Sequence, residues 1–263
     1  MKSLYKLVLK TNIKGPSLAF PLIMPFVFIL LYSVMITPGL NQGNVNKIVS
    51  SFYIAIVSVI TMQSGLMGFG INFTTIKKSV LLRRIGATEL SKMDVILAMI
   101  LFGLTLWVIS FIWILLLTVV FTEIGIFYSA PQFENGKNVV ASLEWLQLIN
   151  WGRLIATTLV MLFLSYTMGM FFTTIAPDDQ AYMGIAMMYF FFAAFFGGLL
   201  MPGDTPAWME YIGYIVPHGY IDPLYDWVIG KKIEVVSGIL GIVIPLIVGT
   251  LALFGAAKLL KFD

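Results

Sequence analysis

The stretch Val95–Thr122 reads VILAMILFGLTLWVISFIWILLLTVVFT, 28 residues without a charged side chain. A helix crosses the hydrocarbon of a bilayer in roughly 20 mainly apolar residues. This segment is therefore long enough to span once and too short to span twice. Five further charge-free stretches flank it, Gly15–Asn46, Ile48–Ile76, Leu154–Pro177, Gln180–Gly203 and Val235–Ala257, each between 23 and 32 residues long. They predict an all-α integral membrane protein with six transmembrane helices, at 17–37, 50–73, 95–121, 152–175, 181–201 and 236–257. Composition agrees. Of the 263 residues 59% are hydrophobic and 11% charged, against about 25% charged in an ordinary soluble domain, and the mean hydropathy is +0.95. A soluble globular fold and a disordered chain are both excluded. The absence of cysteine removes disulfide scaffolds, thiolate metal sites and cysteine nucleophiles. His218 is the one histidine, so a multi-histidine metal centre is excluded too. The spans take up most of residues 1–263, which therefore read as a single membrane domain.

Orientation follows from basic residues near the helix ends. Lys2, Lys6, Lys10, Lys14, Lys77, Lys78, Arg83, Arg84, Lys92, Lys258 and Lys261 fall on the side of the N-terminus. Lys47, Lys137, Arg153, Lys231 and Lys232 fall on the other. Both termini are therefore expected in the cytoplasm. The formal charge of +3 divides into a net +6 inside and −3 outside. The first apolar stretch exceeds the h-region of about 7 to 15 residues in a signal peptide, and no small-residue cleavage pattern follows it. It is expected to stay in the mature protein. Asn72-Phe73-Thr74 matches a glycosylation acceptor, but at the cytoplasmic end of a span the match reads as chance.

Three smaller segments carry the functional signals. In 1–15, Lys2, Lys6, Lys10 and Lys14 recur every four residues and form one stripe on a helix, with Leu4, Tyr5, Val8 and Leu9 opposite. That fits an amphipathic helix in the membrane interface with its lysines toward anionic lipid headgroups, and equally a plain positive-inside anchor. The loop 74–93 is short, basic and helical in pattern, with Gly86 as a breaker and Ser91 as a cap for the next helix. It reads either as an orientation signal or as a docking surface for another protein. Between the last two spans, Asp204–Glu234 carries Trp208, Tyr211, Tyr214, Tyr220, Tyr225 and Trp227, an interfacial aromatic population. Pro217 divides it into pieces too short to cross. They fit a re-entrant helical hairpin over 203–232 dipping into the outer leaflet, or a loop lying flat on it.

The run Arg84-Ile85-Gly86-Ala87-Thr88-Glu89-Leu90-Ser91-Lys92 resembles the turn between the second and third spans of type-2 ABC transporter permeases, the membrane subunits of ATP-driven exporters. It departs from that pattern in having Glu89-Leu90 where a proline-serine pair is usual, and Lys77-Lys78 near a position often acidic. A second resemblance lies in Met201–Leu224, where a proline-containing turn, a Pro-x-Trp-like short helix and a proline-rich turn follow in the family's order. The resemblance implies that Lys77, Lys78, Arg83, Arg84, Ile85, Gly86, Ala87, Thr88 and Glu89 couple the chain to an ATPase subunit. It implies a re-entrant hairpin marked by Pro206, Trp208, Pro217, His218 and Pro223, with His218 a turn residue. It also implies that the second and fifth spans face the central pathway. Gln63, Ser64, Asn72, Met183, Met187, Phe191 and Phe195 are then the candidate substrate contacts, although simple helix packing or lipid contact explains the same residues.

Energy coupling points the same way. Ion-driven transporters usually keep an ionisable residue within a span, and none of the six stretches holds one. No phosphate-binding Gly-x-x-x-x-Gly-Lys-Ser/Thr loop is present, since neither Gly136-Lys137 nor Gly230-Lys231 has the upstream glycine. The chain is thus expected to be no enzyme and to hold no cofactor, with ATP and Mg in a separate subunit. Expected partners are two ABC ATPase subunits, a second permease copy or a related permease, and membrane lipid, but no nucleic acid. The expected setting is a bacterial plasma membrane, and the expected activity is outward movement of a hydrophobic or amphipathic substrate such as a drug, an antimicrobial peptide or a lipid-linked molecule. The competing class is an intramembrane lipid-modifying enzyme with Asp204, Glu210, His218, Asp222 and Asp226 as an outer-face site. A channel lacks an obvious filter ring.

Overall fold

The computed structural model describes Tyr5, Lys6, Leu9 and residues 16–36, 45–78, 92–127, 140–198 and 207–259. All regular elements among them are helical. Helix α1 is Pro16–Ile36. Helix α2, Val45–Gln63, continues through a π-helical turn, Ser64–Phe69, into α3, Gly70–Lys78. After α4, Lys92–Glu123, a 3₁₀ turn at Leu143–Leu148 leads into α5, Trp151–Ile175, and then α6, Asp179–Phe196. Two short helices follow, α7 at Ala207–Gly213 and α8 at Asp222–Val228, separated by a 3₁₀ turn at Pro217–Ile221. The last helix is α9, Val235–Leu259.

Four stretches are long and apolar enough to cross a membrane: Val45–Thr74, Asp94–Glu123, Trp151–Ile175 and Val235–Leu259. Helix α1 has 21 residues and α6 has 18. The latter is about 27 Å at 1.5 Å per residue, slightly less than a bilayer's hydrocarbon. It begins on Asp178, whose carboxylate accepts from the Ala181 N–H at 2.7 Å, and ends at Gly197–Gly198. Gly198 has φ +78°, which a side chain would resist, so the helix stops before the end of the charge-free stretch Gln180–Gly203.

The spans differ in how deeply they sit. Of the most apolar window of Val45–Thr74, 83% is buried inside the protein, against 28% for Val235–Leu259. The α2–α3 unit is the centre and α9 the rim. Lipid is as apolar as leucine, so helices in it associate through close packing and hydrogen bonds rather than through the hydrophobic effect. The contacts follow that rule. A Cβ on Gly65 would overlap Ser165 and Tyr166, and one on Gly169 would overlap the Gly65 carbonyl, so α5 crosses the π-turn almost backbone on backbone. Helix α9 lies along α5 through Gly249 against Phe163 and Thr167 and through Gly255 against Phe171. Hydroxyls within the spans are satisfied locally: Ser58, Thr61, Ser110, Thr118, Thr122 and Thr158 each donate to a carbonyl three or four residues back.

At one end of the bundle Tyr53, Phe111, Trp145 and Trp151 form an aromatic cluster, with the Tyr53–Trp145 centroids 5.2 Å apart. Asn46 ties the start of α2 to the loop before α5, donating to Ser142 Oγ at 3.0 Å and Glu144 Oε2 at 3.2 Å. Toward the other end, Phe69, Phe73, Phe102 and Met99 fill a second core against which Tyr5 and Leu9 pack. The Tyr5 hydroxyl reaches Thr105 Oγ1 at 2.8 Å.

Candidate functional site

The short helices α7 and α8 bring the rest of the molecule to one point. Their fixed end is the start of α5. The Asn150 N–H donates to the Val228 carbonyl at 3.0 Å, and Arg153 Nη1 donates to the Trp227 carbonyl at 2.9 Å. The Arg153 guanidinium also lies over the Trp227 ring, 4.4 Å from its centroid. From there the chain follows α5 inward to His218, beside Ser165. Arg153 and Ser165 are twelve residues apart on α5, about 18 Å of helix. Arg153→Ala is expected to lower stability by about 1 kcal/mol, the scale of one cation–π contact with one hydrogen bond, read as a lower thermal midpoint in detergent. An unchanged midpoint would show that this clamp holds nothing.

His218 is fully buried. Its Nε2 lies 3.0 Å from Ser165 Oγ and its Nδ1 lies 2.7 Å from the Tyr189 hydroxyl. Ser165 Oγ is also 2.7 Å from the Met161 carbonyl. A carbonyl only accepts, so the single serine proton goes there. Nε2–H therefore donates to Ser165, and Nδ1 accepts from Tyr189. Both ring nitrogens are thus satisfied.

Beside this chain lies the π-turn. Gly65 touches Ser165, Ser64 Oγ lies 3.3 Å from the Tyr166 hydroxyl, and the Tyr182 hydroxyl donates to the Leu66 carbonyl. A π-turn widens the helix and disturbs its regular i→i−4 bonding, and Tyr182 meets a carbonyl inside it. Four elements thus converge on Ser165: the π-turn, α5, α6 and the Pro217–Ile221 turn.

The residues singled out in the sequence separate into groups. Gln63 is buried at the head of the π-turn, its Oε1 without a hydrogen-bond partner. Asn72 is buried too and donates back to the Gly68 carbonyl at 2.6 Å. With Ser64, these side chains lie within the helix packing. Met183 is half-buried against the core, whereas Met187, Phe191 and Phe195 are exposed together with Met188 along one face of α6. Phe191 and Phe195 stack with centroids 6.4 Å apart. Lys77 and Lys78 close α3. Arg83, Arg84, Ile85, Gly86, Ala87, Thr88, Glu89 and Pro206 lie outside the described residues, as does most of the loop 74–93. Trp208 is exposed and meets Phe196 edge-on at 6.4 Å. Pro217 opens the 3₁₀ turn and Pro223 the helix α8, each placing a ring where no N–H is required.

His218 is in a turn, as the sequence suggested, but it is also the hub of a buried hydrogen-bond chain. Ser165 and Gly169 form a small-x-x-x-small pair, which was the available signal for close packing. Tyr182 and Tyr189 stand seven residues apart on one face of α6, a spacing that could have marked both. As chemistry, the arrangement is the reverse of an activated serine, since a nucleophile donates to its base and here the imidazole donates to Ser165. Asp226, one of the carboxylates considered for an enzymatic site, pairs instead with Lys231 at 2.8 Å on the surface. Among the described residues no three His, Asp or Glu side chains gather as metal ligands. Neither a protein-family model nor a curated protein matches the chain.

Proposed function

We propose that this chain is the membrane-spanning subunit of an ATP-driven exporter for a hydrophobic or amphipathic substrate, working as a pair with a second copy or a related permease and two ATPase subunits. The observation that carries the reading is the course of the 3₁₀ turn and α8, which lie along α5 from its start as far as Ser165, while α7 packs against the end of α6. This is the geometry expected of a re-entrant hairpin, and non-helical backbone is tolerated at membrane depth only when enclosed by protein, as His218 and Gly219 are. Contacts between neighbouring helices favour six crossings: α1 runs with α4, since Leu22 meets Trp113 and Phe26 meets Phe121, and α9 runs with α5, since Gly249 meets Phe163 and Gly255 meets Phe171, so α1 crosses before α2 and α6 crosses between α5 and α9. Tyr53 meets Trp151 and Gly65 meets Ser165, so α2 and α5 run the same way. Helix α4 opposes them, since Phe111 meets Tyr53 and Trp107 Nε1 bonds Thr61 Oγ1.

In this reading both termini and the basic loop 74–93 face the cytoplasm of a bacterial cell, and the loop rests against the ATPase. Gln63, Ser64 and Asn72 lie inside the helix packing, so the exposed Met187, Met188, Phe191 and Phe195 are the better candidates for the pathway. Methionine and aromatic side chains adapt to varied apolar molecules. ATP closure of the ATPase pair would draw the coupling loops together and change which side the spans open to.

Capture of an ATPase subunit by the full-length protein from its native membranes tests the docking. Arg83→Glu with Arg84→Glu is expected to reduce capture at least about tenfold, the scale of losing charge-assisted contacts. Lys231→Glu with Lys232→Glu, on the opposite side, leaves it unchanged. If no ATPase is captured, or if both charge reversals behave alike, the docking role is wrong.

A further inference from the structure

Of the lysines spaced four apart near the N-terminus, Lys6 is the one among the described residues. Tyr5, Lys6 and Leu9 are helical, and the two apolar members turn toward the bundle. Both pack against the core of Phe69, Phe73, Met99 and Phe102, and the Tyr5 hydroxyl meets Thr105 Oγ1 at 2.8 Å. Lys6 is left exposed. The apolar side of this segment is thus taken up by protein, whereas a free interfacial helix would turn it to lipid.

Depth follows from α4. Thr105 stands eighteen residues before Glu123, the exposed acid that ends the helix, and eighteen residues make about 27 Å. The hydrocarbon of a bilayer is about 30 Å thick. With Glu123 at one headgroup layer, Tyr5 and Lys6 therefore lie at the opposite one. Helix α9 runs against α4 and gives the same level independently. It follows Glu234, and Lys258 stands 23 residues past Val235, about 35 Å along the axis. Its exposed side chain also emerges at that headgroup layer. The two elements meet at one core, since Leu253 and Ala256 of α9 belong with Tyr5 and Leu9.

On the membrane side of Lys258, α9 presents Leu251 and Phe254 to the outside, 65% and 70% exposed. Among the described residues neither Lys6 nor Lys258 has an ion-pair partner. Two free cations at headgroup level beside an open apolar helix face match an anionic phospholipid, with phosphate for the amines and acyl chains for the helix. At the far ends of the same helices Glu123 and Glu234 are exposed and repel such a headgroup.

We propose that Lys6 and Lys258 hold the phosphate of an anionic phospholipid whose acyl chains lie along Leu251 and Phe254 of α9. The site stands on the placing of these residues and does not depend on the exporter reading.

The full-length chain in neutral detergent, offered equal amounts of phosphatidylglycerol and phosphatidylcholine with the same acyl chains, tests the site, with retained lipid counted by native mass spectrometry. A preference for phosphatidylglycerol of at least about tenfold is expected. Lys6→Gln and Lys258→Gln each lower it about fivefold, the scale of one lysine beside an anionic headgroup. Lys231→Gln with Lys232→Gln, at the other end of the bundle, leaves it as it was. Both lysines of the site are exposed, so an unaltered thermal midpoint in phosphatidylcholine verifies that the variants fold. Equal retention of the two lipids by the unaltered chain overturns the site, as does a preference that survives either Lys6→Gln or Lys258→Gln. An equal loss in the Lys231 and Lys232 variant also overturns it, since net charge alone would then attract the lipid. So does displacement of the lipid by soluble glycerol phosphate, which would mean a phosphate site without acyl-chain contact.

Discussion

Replacing Gly169 by valine is expected to cost about 2–4 kcal/mol and to lower the thermal midpoint of the purified protein accordingly. Any Cβ at this position points at the Gly65 carbonyl, with Leu66 Cα just behind. Both obstacles are backbone, so no rotamer change relieves the overlap, and α5 must move away from the π-turn. That movement loosens Ser165 from Gly65 and strains the Tyr182 bond to Leu66. The control is Gly184→Ala on α6, where a Cβ meets nothing within 4 Å. There alanine removes only the helix cost of glycine and is expected to stabilise by up to about 1 kcal/mol. Equal midpoints for the two variants would show that the crossing is not as close as described.

Trp145→Ala is expected to cost about 3–5 kcal/mol. Trp145 is fully buried although it belongs to a single 3₁₀ turn, and its ring lies against Tyr53 on α2. It is the largest side chain fastening the segment before α5 to the central helix. Its Nε1 has no hydrogen-bond partner, so Trp145→Phe loses volume but no bond and is expected to cost less than about 1.5 kcal/mol. A loss in the phenylalanine variant as large as in the alanine variant would point to a polar contact of the indole N–H. Faster amide hydrogen exchange over 140–149 in Trp145→Ala, with the spans unchanged, would localise the effect to this loop.

Both predictions concern positions that sequence alone did not single out. Runs of apolar residues without charge announce helices in lipid, because a buried backbone in hydrocarbon has to satisfy its own hydrogen bonds and a helix does so locally. Four of those runs form helices long and apolar enough to cross, and α1 and all of α6 but its first residue lie within two others. Ends of elements were less legible. Helix α6 stops at Phe196 because Gly198 adopts a left-handed backbone, whereas hydropathy continues smoothly to Met201. The π-turn at Ser64–Phe69 carried only the signal of clustered glycines.

The polar residues of the second span show what separates candidate from site. Gln63, Ser64 and Asn72 read first as packing and only second as substrate contacts, because a sequence gives the face of a helix but not what that face meets. The structure turns all three into the helix packing. His218, by contrast, read only as a turn residue, and it lies completely enclosed.

Sequence by itself determined the all-helical, apolar character of the chain, the placing of its long helices and the segregation of its charges into short connecting segments. Each of these is set by neighbours within a few turns of chain. Only the tertiary structure decided that the π-turn, α5, α6 and the 3₁₀ turn meet around Ser165, with His218 between Ser165 and Tyr189. Those contacts join residues 29 to 116 positions apart, and they form because glycines let the backbones approach closely enough for buried hydroxyls and an imidazole to find one another.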